Sequence, residues 1–168
     1  MMLDEARRQV TQNGYAATTI RSIASACGIG LGTMYNYFPS KDILLATFML
    51  EDWMQTLDTM NARIAEAQTA RRRLACIYDE LAAYIRDHNA LFSDPDALVT
   101  YITTLHDRHP QMRGQIATLI AAYLPDGTEE PFVSQFLAES LLTWTVEGVP
   151  FDTIYGVLQK IIPEGDPT

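Results

Sequence analysis

The stretch Ile20-Arg21-Ser22-Ile23-Ala24-Ser25-Ala26-Cys27-Gly28-Ile29-Gly30-Leu31-Gly32-Thr33-Met34-Tyr35-Asn36-Tyr37-Phe38 has the form of a helix-turn-helix. Ile23 and Ala24 face inward, and Gly28 permits a left-handed turn that a side chain would resist. Ile29 and Met34 are apolar at the spacing that closes a core between two crossed helices. Such helices meet at a steep angle, so a small residue is needed where they touch, and Ala24 supplies it. The second helix then projects Leu31, Gly32, Thr33 and Asn36 outward, able to enter a major groove. Two short helices around a glycine occur in many α-domains, so spacing alone also allows a purely structural pair.

Outward from this stretch the punctuation is helical. A first helix is expected over Leu3 to Asn13, closed by Gly14 at its C′ position. Thr18 or Thr19 can cap the second helix, which runs through Ser25 or Ala26 and closes at Gly28. A third helix covers Leu31 to Tyr37, and Pro39-Ser40 break the chain and cap a long fourth. There Leu45, Phe48, Met49, Trp53, Leu57, Met60 and Ile64 form one apolar stripe. Further stripes run Leu74 to His88, Leu98 to Leu105, Met112 to Tyr123, Phe132 to Trp144 and Ile154 to Ile161. Ser93-Asp94-Pro95, His109-Pro110, Pro125-Asp126-Gly127 and Gly148-Val149-Pro150 read as stops or turns between them. With no period-two β-branched run, the fold class is all-α: an N-terminal three-helix helix-turn-helix domain over residues 1–45 and a helical domain over 46–168.

Composition agrees with a globular protein: 168 residues, 48% hydrophobic and 20% charged. The net charge of −9 excludes a basic nucleic-acid coat but not a local reading module. Residues 1–45 carry +1 and the remainder −10, so an acidic body would repel DNA everywhere except at the head. Cys27 and Cys76 are too few for a disulfide scaffold. Asp4 and Glu5 interrupt the place where a leader's apolar region would sit, and no apolar run approaches the ~20 residues of a membrane span. A cytoplasmic protein with no membrane partner is expected.

The stretch Gly14-Tyr15-Ala16-Ala17-Thr18-Thr19-Ile20-Arg21-Ser22-Ile23-Ala24, then Gly28-Ile29, then Gly32-Thr33-Met34-Tyr35-Asn36-Tyr37-Phe38-Pro39-Ser40-Lys41 resembles the N-terminal domain of TetR-family transcriptional regulators. The shared pattern is a Gly-Tyr, a Thr-Thr before the second helix, small residues in the helix-turn-helix, and a Tyr-x-Tyr-Phe-x-x-Lys tail. The match is dense over residues 3–48; beyond them only the all-helical, ligand-binding, dimeric layout is shared. The resemblance implies base reading by Leu31, Gly32 and Thr33, beside Asn36. Tyr35 and Tyr37 splay to the flanks of their helix, where their hydroxyls can donate to phosphates. Tyr35 has core packing as its alternative, and Phe38 is read as core. Lys41 adds a charge beside a helix terminus, and Thr18 and Thr19 set hydroxyls and a second helix N-terminus against the DNA backbone. Two departures matter. Leu31 stands where the family often has a basic residue, and it can only touch a thymine methyl or pack. The chain also starts inside helix one without the family's basic lead-in, which implies fewer phosphate contacts.

In the second domain the resemblance implies a cavity for a small effector. Its candidate lining is Trp53, Met60, Tyr78, Tyr84, Tyr101, Met112, Tyr123 and Trp144, with Phe92; plain core filling is the competing reading. Met and Tyr suit a hydrophobic or amphipathic ligand. His88, His106 and His109 lack the partners of a metal site and read as surface or polar-lining groups, so no metal or cofactor is expected. Gly28-Ile29-Gly30-Leu31-Gly32 is not preceded by a strand and fails as a dinucleotide loop. No nucleophile elbow or paired-carboxylate motif marks an enzyme. The expectation is therefore a TetR-like repressor. It would bind a palindromic double-stranded DNA operator as a homodimer through Pro131 to Glu147 and Phe151 to Ile162, and a small molecule would release it. The rival is an all-α ligand-binding or scaffold protein that has lost DNA binding, favoured by the negative charge and by Leu31.

Overall fold

The computed structural model describes residues 1–97, 99, 108–124 and 131–162. Tyr101, His106, most of the stripe from Leu98 to Leu105 and the turn Pro125-Asp126-Gly127 lie outside the described residues, as do the side chains of Phe92 and His109. Among the described residues every regular element is an α-helix, and no helix is long and apolar enough to cross a membrane. The helices are α1 (Met2–Ala17), α2 (Ile20–Ala26), α3 (Leu31–Tyr37), α4 (Lys41–Glu66), α5 (Ala70–Asp87), α6 (Asn89–Phe92), α7 (Arg108–Ala121), α8 (Phe132–Val146) and α9 (Phe151–Leu158).

Local chemistry explains the ends. Gly14, at φ +82°, breaks the helical path of α1 where the sequence places a stop, and one further turn continues to Ala17. Thr19 caps α2, its Oγ1 accepting the Ser22 N–H at 3.0 Å. Ser40 Oγ accepts the Ile43 N–H at 3.2 Å and opens α4. His109-Pro110 reads as a stop in the sequence, but α7 starts at Arg108. Proline fits there because the first N–H groups of a helix have no partner within it.

The helices gather into two compact units, residues 1–55 with 84–107, and residues 56–83 with 108–168. The unit holding the helix-turn-helix thus takes in a second segment, distant in sequence, from the end of α5 onward. Its core joins Ala6 and Val10 of α1, Ile23 and Ala24 of α2, Met34 of α3, Leu44, Leu45 and Phe48 of α4, and Leu91 and Ala97. In the other unit α7 packs along α8, and α9 lies against α8. Ile116, Ile120, Leu137, Leu141, Ile154 and Leu158 are buried there. Arg63 bridges α4 to α5 through Asp79 at 2.9 Å and Glu80 at 2.5 Å. Ile154 belongs to this core, although its segment, Phe151 to Ile162, is expected from the sequence to serve the dimer interface. The apolar residues left exposed on the last two helices and beyond are Phe132 (71%), Phe136 (41%), Val146 (62%), Val157 (46%) and Ile161 (40%).

Candidate nucleic-acid interface

The helix-turn-helix is built as its residue types require. Gly28 adopts φ +67°, and the Ile29 N–H donates to the Ala24 carbonyl at 3.0 Å, closing the turn. Ala24 is almost fully buried and Met34 wholly so, which seats α3 on α2 with one face committed to the core. The opposite face carries Gly32, Thr33 and Asn36 exposed, flanked by Tyr35 (49% exposed) and Tyr37 (64% exposed). A Cβ at Gly32 would meet nothing within 4 Å, so this face is open. Tyr35 therefore is not a core residue, and Phe38 packs against the core. Leu31 is half-buried against the same core, leaving only part of its side chain for a groove.

The two adjacent threonines separate. Thr18 is fully buried and its hydroxyl donates to the Gly14 carbonyl at 2.8 Å. The expectation that it meets the DNA backbone is corrected: no oxygen of that side chain reaches solvent. Thr19 stays exposed at the N-terminus of α2.

The head's cations are mostly occupied. Arg7 forks onto Asp52, with Nε 2.9 Å from Oδ2 and Nη2 on Oδ1. Burial alone would raise the Asp52 carboxyl, but the hydrogen bonds from His88 and Arg7 hold it below the usual carboxylate range. His88, expected on a surface or in a polar lining, is buried; its Nε2 lies 3.0 Å from Asp52 and its Nδ1 2.8 Å from the Tyr84 carbonyl. Arg8 pairs with Glu5 at 2.8 Å, and Arg8 with Gln9 holds that carboxyl down at about 2. Lys41 is turned inward: Nζ donates to the Tyr15 carbonyl at 2.9 Å and sits 3.6 Å from the centroid of the Tyr15 ring. Burial pushes its ammonium below the ordinary lysine value, against the pull of Asp42, Asp94 and Asp96.

Arg21, on α2, is exposed and has no ion pair among the described residues. It is the residue that reading by motif passes over. A signal was present: Arg7 and Arg8 each have an acid three residues earlier, whereas Arg21 has none three or four residues away in either direction.

The candidate effector residues divide between the units. Trp53 and Tyr84 are buried in the first, edge to face with ring centres 5.4 Å apart, and Tyr84 Oη donates to the Met49 carbonyl at 3.2 Å. Met60 is fully buried in the second. Tyr78, Met112, Tyr123 and Trp144 are half-buried there. Tyr78 donates to the Val149 carbonyl at 3.0 Å, and the Arg73 guanidinium covers the Tyr123 ring at 4.6 Å.

Residues 2–47 match the family model described as bacterial regulatory proteins, tetR family. The fatty acid metabolism regulator protein of Bacillus subtilis is 28% identical over 124 residues, covering 73% of this chain. The chain spans 60% of that relative's length. A transcriptional regulator structure from Streptomyces coelicolor, SCO7518, superposes with a TM-score of 0.75 at 14% identity, covering 96% of each chain. The TetR-family repressor AlkX from Dietzia superposes with a TM-score of 0.66 at 15% identity, over 96% of this chain and 97% of its own.

Proposed function

We propose that this chain, a TetR-family DNA-binding transcriptional regulator, is a cytoplasmic homodimeric repressor that a small apolar effector releases from a palindromic operator. The observation that carries the reading is α3. Its Met34 face is sealed in the core while Gly32, Thr33 and Asn36 stand exposed on the other side, with Tyr35 and Tyr37 exposed at the flanks. A helix presented this way can enter a major groove, with Thr33 at base edges and Tyr35, Tyr37, Arg21 and the capped N-terminus of α2 at phosphates.

Dimerisation is assigned to α8, α9 and the residues that follow. Their exposed Phe132, Phe136, Val157 and Ile161 are apolar surface that a second copy would cover. Sedimentation showing a monomer at micromolar concentration would remove this part of the reading, and palindromic recognition with it. The effector class rests on the relative: a match of 124 residues to a fatty acid metabolism regulator extends past the head into the second unit. A mostly apolar ligand also suits the Tyr, Met and Trp side chains there. Met60 and Lys41 belong to the same helix, α4, so a ligand that displaced Met60 would act on the helix that follows the helix-turn-helix.

The test is selection of a duplex from a random-sequence pool, followed by affinity measurements on its single-base variants. Thr33 variants are expected to change the preference among bases at one half-site position by ~1–3 kcal/mol. Tyr37→Ala is expected to weaken all variants alike, since a phosphate contact holds no base information. Failure to enrich any duplex would favour the rival, an all-α ligand-binding protein without DNA.

A further inference from the structure

Tyr15 is held at both ends by consecutive residues of the first turn of α4. Its carbonyl accepts the Lys41 ammonium at 2.9 Å, and the same ammonium lies over its ring. Its hydroxyl donates to Asp42 Oδ1 at 2.9 Å. The carbonyl also accepts the Thr18 N–H at 3.2 Å, so it lies in the turn that follows the left-handed Gly14. Tyr15 itself is 8% exposed. Lys41 and Tyr15 are 26 residues apart, and the segment between them contains the whole helix-turn-helix.

We propose that Lys41 is a positioning residue: its ammonium clamps the end of α1 to the start of α4, closing the base of the loop that carries α2 and α3, and it does not neutralise a DNA phosphate. Both ends of the helix-turn-helix leave from this clamp, Thr18 on one side and Ser40 on the other. The direction in which α3 projects therefore depends on it. A cation over an aromatic face that also donates to a carbonyl and is partly buried is held more firmly than a fully exposed lysine. Asp42, Asp94 and Asp96 all act on its charge, so the local field there is not one that gathers phosphate. Arg21, exposed and unpaired, is the head's cation left for that task.

The inference rests on the DNA-binding reading only for its consequence, so the experiment has two independent arms. In the first, affinity for the selected duplex is followed against salt. Removing a phosphate contact lowers the slope of log affinity on log salt by about 0.9 per protomer. Arg21→Ala is expected to do this. Lys41→Met, which keeps the apolar stem, is expected to lower affinity by the same factor at every salt concentration and leave the slope unchanged. In the second arm, thermal unfolding is measured without DNA. Lys41→Met is expected to lower the midpoint by about 2–4 °C, with Lys41→Arg close to the parent, and Lys41→Met combined with Tyr15→Leu is expected to be no worse than Tyr15→Leu alone. A slope reduced by about 0.9 per protomer in Lys41→Met with an unchanged midpoint would overturn the clamp. Additive losses in the pair would overturn it too. If no duplex is selected, the functional reading fails, and the unfolding arm still decides the clamp.

Discussion

The two compact units use the same helical alphabet under different constraints. In the unit built from residues 1–55 and 84–107, α2 and α3 are short, and turns at Gly14 and Gly28 with positive φ set their directions. Individual positions there have separate tasks: Thr19 caps, Ala24 and Met34 fill the crossing, and Thr33 and Tyr37 stand outside. The unit of residues 56–83 and 108–168 is made largely of longer helices packed side by side, and in it Ile116, Leu137 and Leu141 need only be apolar and of suitable size. A surface that must fit a duplex restricts residue types one by one. A core that must exclude water restricts only their period. This is why motifs identify the head while the second unit is legible only as stripes.

The largest effects are expected in the two cores. Met34 and Met60 are both fully buried, one in α3 and one in the second unit. Each changed to Ala is expected to cost about 2–5 kcal/mol in denaturant unfolding. Met34→Ala should also lose DNA affinity beyond what its unfolded fraction explains, and Met60→Ala should not. Equal losses of binding per folded molecule would show that the head has no special dependence on its core.

Next come the glycines of the head. Gly28 has open space around it but φ +67°, so Gly28→Ala is expected to destabilise by about 1–2 kcal/mol through the backbone alone. Gly32 lies within α3 with open space where a Cβ would stand, so Gly32→Ala is expected to gain up to about 1 kcal/mol of stability. The added methyl stands on the exposed face of α3 proposed to meet the groove, and DNA affinity should fall. Gly32→Ala with unaltered affinity would mean that this face does not approach bases closely.

The smallest effect concerns acid. Asp52 has its folded carboxyl below its ordinary value, so its contribution is complete above the unfolded pKa and drains away as pH falls through the folded one. Asp52→Asn is expected to lose about 0.5–1 kcal/mol at neutral pH, the size of a partly screened pair, and to make the acid limb of the stability curve shallower. An acid limb of unchanged steepness would show that Arg7 and His88 do not stabilise the ionised form.

What the sequence determined by itself was whatever depends on a few neighbouring residues. The all-α class followed from periodicity, the limits of α2 and α3 from the Thr18-Thr19 pair, Gly28 and Pro39, and the outward face of α3, apart from Leu31, from the spacing around Met34. The tertiary structure alone decided which of those side chains remain available. Thr18 and Thr19 are the same residue type side by side, yet packing buries the first completely and leaves the second exposed. Lys41 reads as a free cation until Tyr15, 26 residues earlier, claims it, and His88 as a surface group until Asp52, 36 residues earlier, meets its ring. Ile154 and Val157 share one stripe, but packing against α8 buries the first and exposes the second. Caps, left-handed turns and helical period act over three or four residues and are written locally. Hydrogen bonds and burial are settled by whichever distant group the fold brings within about 3 Å, and no local pattern encodes that.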